Sequence, residues 1–182
     1  MSYNTIQANQ RYLGTVRTDT AIGNTRDTAR QRFLWNNYNR TRASLLAQDT
    51  ALTWNYSAGT WREANGSTTN QVEVVVGDVS EVVELMVHVT GQADKTTLNI
   101  DSSLSIGENQ TNQKSPYATA SRNQISVALP QGGAAFESQS AYLVRTPGIG
   151  FSFYSWLEQS PAGSANMQWY SYLGSLTDMT LQ

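Results

Sequence analysis

The sequence predicts a mainly β protein: an antiparallel, jelly-roll-like β-sandwich with an N-terminal extended arm and one amphipathic helix. Three observations predict this class. Short runs of β-branched and aromatic residues are separated by Gly, Asn, Asp and Pro. Within several runs, apolar and polar residues alternate, as they do when one face of a strand is buried. Beyond residue 52, no segment of helical period separates the runs, which disfavours a βαβ sheet.

The first 24 residues predict an extended arm. They are rich in Asn, Thr and Gln, and they show no sustained hydrophobic period. Free termini fray unless something holds them. We therefore expect the arm to lie against a neighbouring surface.

The segment from Asp27 to about Leu46 predicts an amphipathic helix. Leu34, Tyr38 and Leu45 recur at spacings of four and seven, which is typical of one helical face. We expect the helix to pack Phe33, Leu34 and Trp35 on the sheet or on a partner.

The strand predictions follow the chain from Leu52. They cover residues 52–56, 60–64, 71–76, 79–89, 96–106, 124–129, 141–145, 150–158 and 167–172. In the fourth of these, Val83, Leu85, Val87 and Val89 share a predicted core face, and Met86 and His88 share the other. The turn at residues 160–163 predicts that the last two strands form a hairpin, and the tail, 173–182, predicts an edge strand.

The predicted domain boundary lies near residue 47. Residues 1–47 are expected to form an arm and helix for anchoring and oligomerisation, and residues 48–182 the β-sandwich domain. The net charge changes sign close to this predicted boundary. Residues 1–42 contain seven arginines and two aspartates, a net charge of +5, whereas the remainder contains five basic and twelve acidic residues, a net charge of −7.

The bulk properties exclude several functions. The formal net charge of −2 argues against general nucleic-acid binding, and no apolar run is long enough to cross a membrane. The chain has no cysteine, so thiolate metal sites and disulfides are excluded, which fits assembly in a reducing compartment.

The sequence shows no catalytic constellation. His88 is the one histidine, and neither a second imidazole nor a nucleophile elbow accompanies it. We predict no enzyme activity, no catalytic residue, no cofactor and no metal. A pair of carboxylates of the glycosidase kind stays open, because its members can be far apart in the chain.

Aromatic residues form the other candidate site. Trp61, Trp156 and Trp169 lie in aromatic-rich strands, where large amphipathic rings can stack on sugars, fill the core or anchor a protein interface. Core or interface is the favoured interpretation, and sugar binding is the alternative.

The chain resembles small structural proteins of tailed bacteriophages. The resemblance rests on short motifs given in chain order: Arg32-Phe-Leu-Trp-Asn-Asn-Tyr-Asn-Arg40, Thr53-Trp-Asn-Tyr56, Trp61-Arg-Glu-Ala-Asn-Gly-Ser67, Asn70-Gln-Val-Glu-Val-Val-Val-Gly77, Pro147-Gly-Ile-Gly150 and Trp156-Leu-Glu158. It implies a β-sandwich that assembles symmetrically on a phage particle and carries no catalytic residues. The arginine-rich arm has no counterpart in that pattern.

These observations predict a virion structural protein, most simply a capsid decoration (cement) or head-spike subunit. The alternatives are a tail or collar fibre adaptor and a carbohydrate-binding, receptor-binding module. Expected partners are copies of the chain, with a trimer favoured, and other virion proteins such as the major capsid protein; a host surface glycan is considered as well. The expected location is the virion, assembled in the bacterial host cytoplasm. The predicted interface residues are Arg26, Arg30, Arg32, Phe33, Leu34, Trp35, Tyr38, Arg40 and Arg42.

Overall fold

The fold is taken from a computed structural model, which describes residues 11–19, 23–38, 40, 44–93, 100–125, 135–160, 167–170 and 178–181. The strands in these ranges are β1 (Gly14–Val16), β2 (Gln31–Arg32), β3 (Leu34–Asn36), β4 (Leu45–Gln48), β5 (Thr53–Asn55), β6 (Arg62–Glu63), β7 (Gln71–Val76), β8 (Val83–Ala93), β9 (Ile100–Glu108), β10 (Ser121–Ile125), β11 (Ala135–Arg145), β12 (Gly150–Gln159), β13 (Met167–Tyr170) and β14 (Asp178–Leu181).

The prediction of a mainly β protein is confirmed. Apart from the short 3-10 turn Ala64–Gly66, the regular elements of the described ranges are strands. None of these ranges forms a helix with the length and apolarity needed to cross a membrane.

The first large sheet, sheet I, has six strands in the order β10-β9-β12-β7-β2, and β6 also pairs with β12. Strand β12 is at its centre. It pairs with β9 on one side and with β7 and β6 on the other, always antiparallel. The short β2 runs parallel to β7.

The second large sheet, sheet II, has the order β4-β14-β8-β13-β5, and β11 pairs with β8. Strand β11 pairs with β8 along its whole length. The other edge of β8 is therefore shared: β14 pairs with Leu85–Val87, and β13 pairs with residues 90–93. All of these pairs are antiparallel.

Buried side chains from both large sheets form one apolar cluster. Leu85 and Val87 of β8, in sheet II, belong to the same cluster as Ile106 of β9, in sheet I. Trp54 of β5 meets Trp156 of β12 edge to face, with ring centroids 5.7 Å apart. Such contacts add to the stability that burial alone supplies.

The predicted helix from Asp27 to Leu46 is wrong. The described part of that segment contains β2, β3 and the start of β4, so its side chains follow the two-residue alternation of strands. Phe33 and Trp35 are buried, and Leu34 between them is exposed. The Phe33 ring meets Phe151 of sheet I edge to face at 5.9 Å. Tertiary packing of alternate aromatic residues therefore overrides the helical spacing of Leu34 and Tyr38.

The end of the predicted arm folds back on its own chain. Strands β1 and β3 form a separate two-stranded sheet, the N-terminal ribbon. The Tyr12 ring stacks on Trp35 with centroids 5.8 Å apart, and the backbone N–H of Arg17 donates to the carbonyl of Phe33. Residues 1–10 of the predicted arm lie outside the described residues.

Two further strand predictions are corrected. Strand β13 does not pair with β12 as a hairpin; it pairs with β8 and β5 in sheet II, and Trp169 contributes to the core. The tail strand β14 lies between β4 and β8, not at an edge. In both cases the strand exists, but long-range burial decided its neighbours.

Candidate interaction surface

The face of sheet II that points away from the core carries the candidate site. Along β8, Val83, Leu85, Val87 and Val89 are buried, as predicted. Met86 is exposed on the opposite face, because successive side chains of a strand alternate. We call this surface, formed by β4, β14, β8 and β11, the outer face.

A straight row of paired residues crosses the outer face. Leu46 of β4 pairs with Thr180 of β14, Thr180 pairs with Met86 of β8, and Met86 pairs with Tyr142 of β11. We call Leu46, Met86 and Tyr142 the outer row. Their exposed fractions are 37%, 47% and 44%. Exposed apolar groups aligned on one sheet face mark a candidate interaction site.

Polar and apolar neighbours flank the outer row along the strands. On one side Glu84 pairs with Val144, which is 47% exposed. On the other side His88 pairs with Ser140, and the His88 Nδ1 lies 2.8 Å from the Ser140 hydroxyl oxygen. The outer row therefore has an acidic side, at Glu84, and an imidazole side, at His88.

The edge of the sheet beside the outer row is already satisfied. The backbone N–H of Thr119 donates to the Tyr142 carbonyl at 2.8 Å, and the Tyr142 N–H donates to the Thr119 hydroxyl at 2.8 Å. Unpaired edges invite strand addition from other chains. Because Thr119 occupies the backbone groups of Tyr142, strand addition is blocked at this position, and the side chains of the outer face are left for association.

The predicted basic interface residues mostly contact this chain itself. The Arg40 guanidinium lies 2.7 Å from an Asp78 carboxylate oxygen, and Arg26 lies 2.7 Å from Asp19. Arg30 donates to the carbonyl of Thr69. Arg32 is also engaged in a contact, and Arg42 lies outside the described residues. Of these contacts, that of Arg40 joins the basic segment to an acidic residue in the remainder of its own chain.

The predicted apolar interface residues divide by burial. Phe33 and Trp35 are core residues of the ribbon contact, so they offer little surface to a partner. Leu34 and Tyr38 are exposed, and Leu34 pairs with exposed Val16 across the ribbon. The guanidinium of Arg11 lies 5.8 Å from the centre of the Tyr38 ring.

The three tryptophans considered for sugar stacking also divide by burial. Trp156 and Trp169 are fully buried in the core, which agrees with the favoured core interpretation and removes them as candidates for sugar stacking. Trp61 is partly exposed, so of the three it alone is accessible to solvent.

A buried carboxylate, Glu158, joins several of the quoted motifs. Its Oε2 accepts a hydrogen bond from the Trp54 indole N–H at 2.6 Å. Its Oε1 lies 2.7 Å from the Arg62 guanidinium and accepts from the backbone N–H of Asn65 at 3.2 Å. The Arg62 guanidinium is in turn covered by the Tyr56 ring at 3.8 Å. The motifs 53–56, 61–67 and 156–158 therefore meet at one point.

Burial raises the pKa of the Glu158 carboxyl above its usual range, although the Trp54 and Arg62 donors act in the opposite direction. Both oxygens of Glu158 are held by donors of this chain. A general acid or base needs an oxygen that can reach a substrate proton. The arrangement instead fixes the 61–67 loop onto β12, so we assign it a structural role.

Sequence reasoning missed both Glu158 and the outer row. The outward position of Met86 was evident from strand alternation, but its alignment with Leu46 and Tyr142 depends on a register that sequence does not define. Nothing in the sequence places Arg62 beside Glu158, because the two are 96 residues apart.

The chain matches no protein-family model, and it has no significant match to a curated protein or to a solved structure.

Proposed function

We propose that this chain is a non-enzymatic structural subunit of a bacteriophage virion, a capsid decoration (cement) or head-spike protein. In this proposal sheets I and II pack face to face as a jelly-roll-like β-sandwich. The observation that carries the proposal is the outer row, Leu46, Met86 and Tyr142, exposed and aligned on one sheet face. A surface of this kind gains free energy when a partner covers it.

The mechanism is stabilisation by mass action. A subunit that binds the assembled shell, and not its separated parts, shifts the equilibrium toward the shell. At a free subunit concentration 100 times the dissociation constant, each site adds about 2.7 kcal/mol.

The bacteriophage assignment rests on the resemblance of the motifs. Three of them converge on Glu158, so they act together to hold one loop and one strand. This favours a shared structural design over a shared chemistry. The basic segment contributes to the fold through Arg40 and Asp78, and the outer face takes over the anchoring role expected of that segment.

Phage particles prepared without the subunit provide the test. Added wild-type protein is expected to bind them and to raise the temperature at which they release DNA. Met86→Lys, which places a charge in the outer row, should bind at least about tenfold more weakly. Val79→Lys is the control, since Val79 is apolar and, at 67%, more exposed than Met86, but lies in the turn before β8. Failure of wild-type protein to bind, or equal binding by both variants, would overturn the proposal.

A carbohydrate-binding module is the second candidate, and the partly exposed ring of Trp61 favours it. Binding on a glycan array that disappears with Trp61→Ala would support this candidate over the structural one. The tail or collar adaptor shares the outer face and differs in location. Labelled subunits at a single vertex, instead of over the whole shell, would identify the adaptor.

A further inference from the structure

We propose that two copies of this chain associate face to face through the outer face, about a two-fold axis that runs along the outer row. The inference rests on the proposed function for its biological use: the dimer covers the same outer face that binds the shell, so dimerisation and shell binding exclude each other. Its geometry rests on the sheet register. Leu46, Met86 and Tyr142 lie on one line across the strands. An axis along that line, midway between the two faces, places each of these residues opposite its own copy.

The positions of Glu84 and His88 favour an axis along the outer row. Glu84 and His88 lie two residues before and two residues after Met86 on the same strand, about 7 Å away in each direction. Rotation about the outer row reverses the strand direction of the second copy. Glu84 of each copy then faces His88 of the other, so the contact contains this complementary pair twice.

Other arrangements lose that match. An axis parallel to the strands and over β8 would place Glu84 opposite Glu84, and like charges that face each other across an interface weaken association. Edge-to-edge pairing through β11 meets the hydrogen bonds that Thr119 already makes with Tyr142.

The area available fits a weak dimer. Strands β8 and β11 have 11 residues each, so they are about 35 Å long, whereas β4 and β14 have four residues each and are about 13 Å long. At a strand spacing of about 4.8 Å the face is roughly 450 Å². This is below the roughly 800 Å² per partner of a standard interface and falls in the range of weak, transient complexes.

The pairing makes association depend on pH. Histidine changes charge between about pH 5 and 8, and glutamate is ionised over most of that range. Within its own chain His88 has Ser140 and Tyr142 as neighbours on β11, and Asp178 occupies the corresponding position on β14, next to Met179. Glu84 has Val144 as its neighbour on β11. The imidazolium is the form that attracts Glu84, so association strengthens as pH falls toward 5.5.

Sedimentation velocity on the full chain tests the charge pair. The dimer dissociation constant should be about fivefold to tenfold lower at pH 5.5 than at pH 8. A change of this size is what two exposed ion pairs contribute to association. Glu84→Gln and His88→Gln should each abolish this pH dependence. The exchanged variant Glu84→His with His88→Glu should keep the pH dependence. The exchange preserves the pair between the two copies, whereas it changes the neighbours of each residue within its own copy. Asp178→Asn should also keep the pH dependence.

Cross-linking tests the axis. The chain has no cysteine, so Met86→Cys introduces one unique thiol. Stacked sheets are about 10 Å apart, too far for a disulfide but within reach of a short bis-maleimide linker. Met86→Cys should cross-link to a dimer, and the control Val79→Cys should not.

The outcomes separate this inference from the proposed function. A monomer at all pH values, a trimer, or a dimer whose Met86→Cys variant does not cross-link would overturn the two-fold contact. Subunits that bind particles without dimerising would leave the proposed function standing. A pH-dependent dimer that never binds particles would leave the inference standing and overturn the function.

Discussion

Arg62 and Glu158 lie 96 residues apart in the chain, and the guanidinium of the first contacts the fully buried carboxylate of the second at 2.7 Å. The pair joins β6 to β12, which are neighbours in sheet I. It also connects the sheets, because Trp54 of sheet II donates to the same carboxylate. Several distant parts of the chain therefore depend on one side chain.

Removing the cation alone should destabilise the protein. Arg62→Met leaves the charge of Glu158 buried without its cationic partner. The remaining hydrogen-bond donors do not compensate for that charge. A broken buried pair costs about 3–5 kcal/mol, and we expect about 2–3 kcal/mol here because the Arg62 side chain is 34% exposed. Urea unfolding measures the change. The double variant Arg62→Met with Glu158→Gln should be more stable than Arg62→Met alone, whereas a loss below about 0.5 kcal/mol in Arg62→Met would mean an ordinary surface pair.

Removing the indole donor should have a separate cost. Trp54→Phe keeps an aromatic ring but deletes the N–H that Glu158 accepts, and a hydrogen bond to a charged group contributes about 1.5–3 kcal/mol. Trp169→Phe is the matched control, because its buried indole N–H has no hydrogen-bond partner among the described residues. The difference between their free energies of unfolding isolates the hydrogen bond. Equal losses would show that ring volume alone matters at both positions.

Acid should weaken the contact that Asp78 makes. Hydrogen bonds from the backbone and hydroxyl of Ser80, and from Arg40, lower the pKa of Asp78 from 3.8 to about 2. A lowered acid pKa gives stability that is present above the unfolded value and is lost as pH falls through the folded value. Thermal unfolding between pH 5 and 2 should therefore show a shallower loss of stability in Asp78→Asn than in wild type. Parallel profiles would contradict this.

The approach of the N-terminal ribbon to sheet I requires a glycine. A methyl group on Gly77 would overlap the Trp35 ring and the Tyr12 hydroxyl. Gly77→Ala should displace Trp35 and change its fluorescence, with a loss of about 1–3 kcal/mol from overpacking. Gly148→Ala is the control, since nothing lies within 4 Å of the added atom. Unchanged fluorescence and stability in Gly77→Ala would show that the ribbon is not held there.

The strand predictions show how far local pattern reaches. The β7 prediction is confirmed to the residue, and the core face of β8 is confirmed, because alternation and turn residues depend on neighbours in the chain. The helix predicted for the segment from Asp27 to Leu46 is wrong because that prediction also depends only on neighbours in the chain. Leu34 and Tyr38 fall at helical spacing. In the fold, however, Phe33 packs against Phe151, which is distant in sequence, and Trp35 stacks on Tyr12 of the preceding segment.

The domain boundary near residue 47 remains a prediction. Strand β4 spans it, and β4 pairs with the tail strand β14. The predicted location in a virion and the predicted partners likewise remain proposals, supported by the motifs and the outer face.

By itself, the sequence determined the β character of this protein, the strand faces of its central runs and the separation of a basic start from an acidic remainder. Those properties follow from residue type and spacing. Only the tertiary structure decided that Arg40 would neutralise Asp78 of its own chain, that Trp156 and Trp169 would be buried, and that Leu46, Met86 and Tyr142 would align. The reason is physical: strand order and register are set by burial and pairing between residues far apart in the chain, and a one-residue shift would reverse every face.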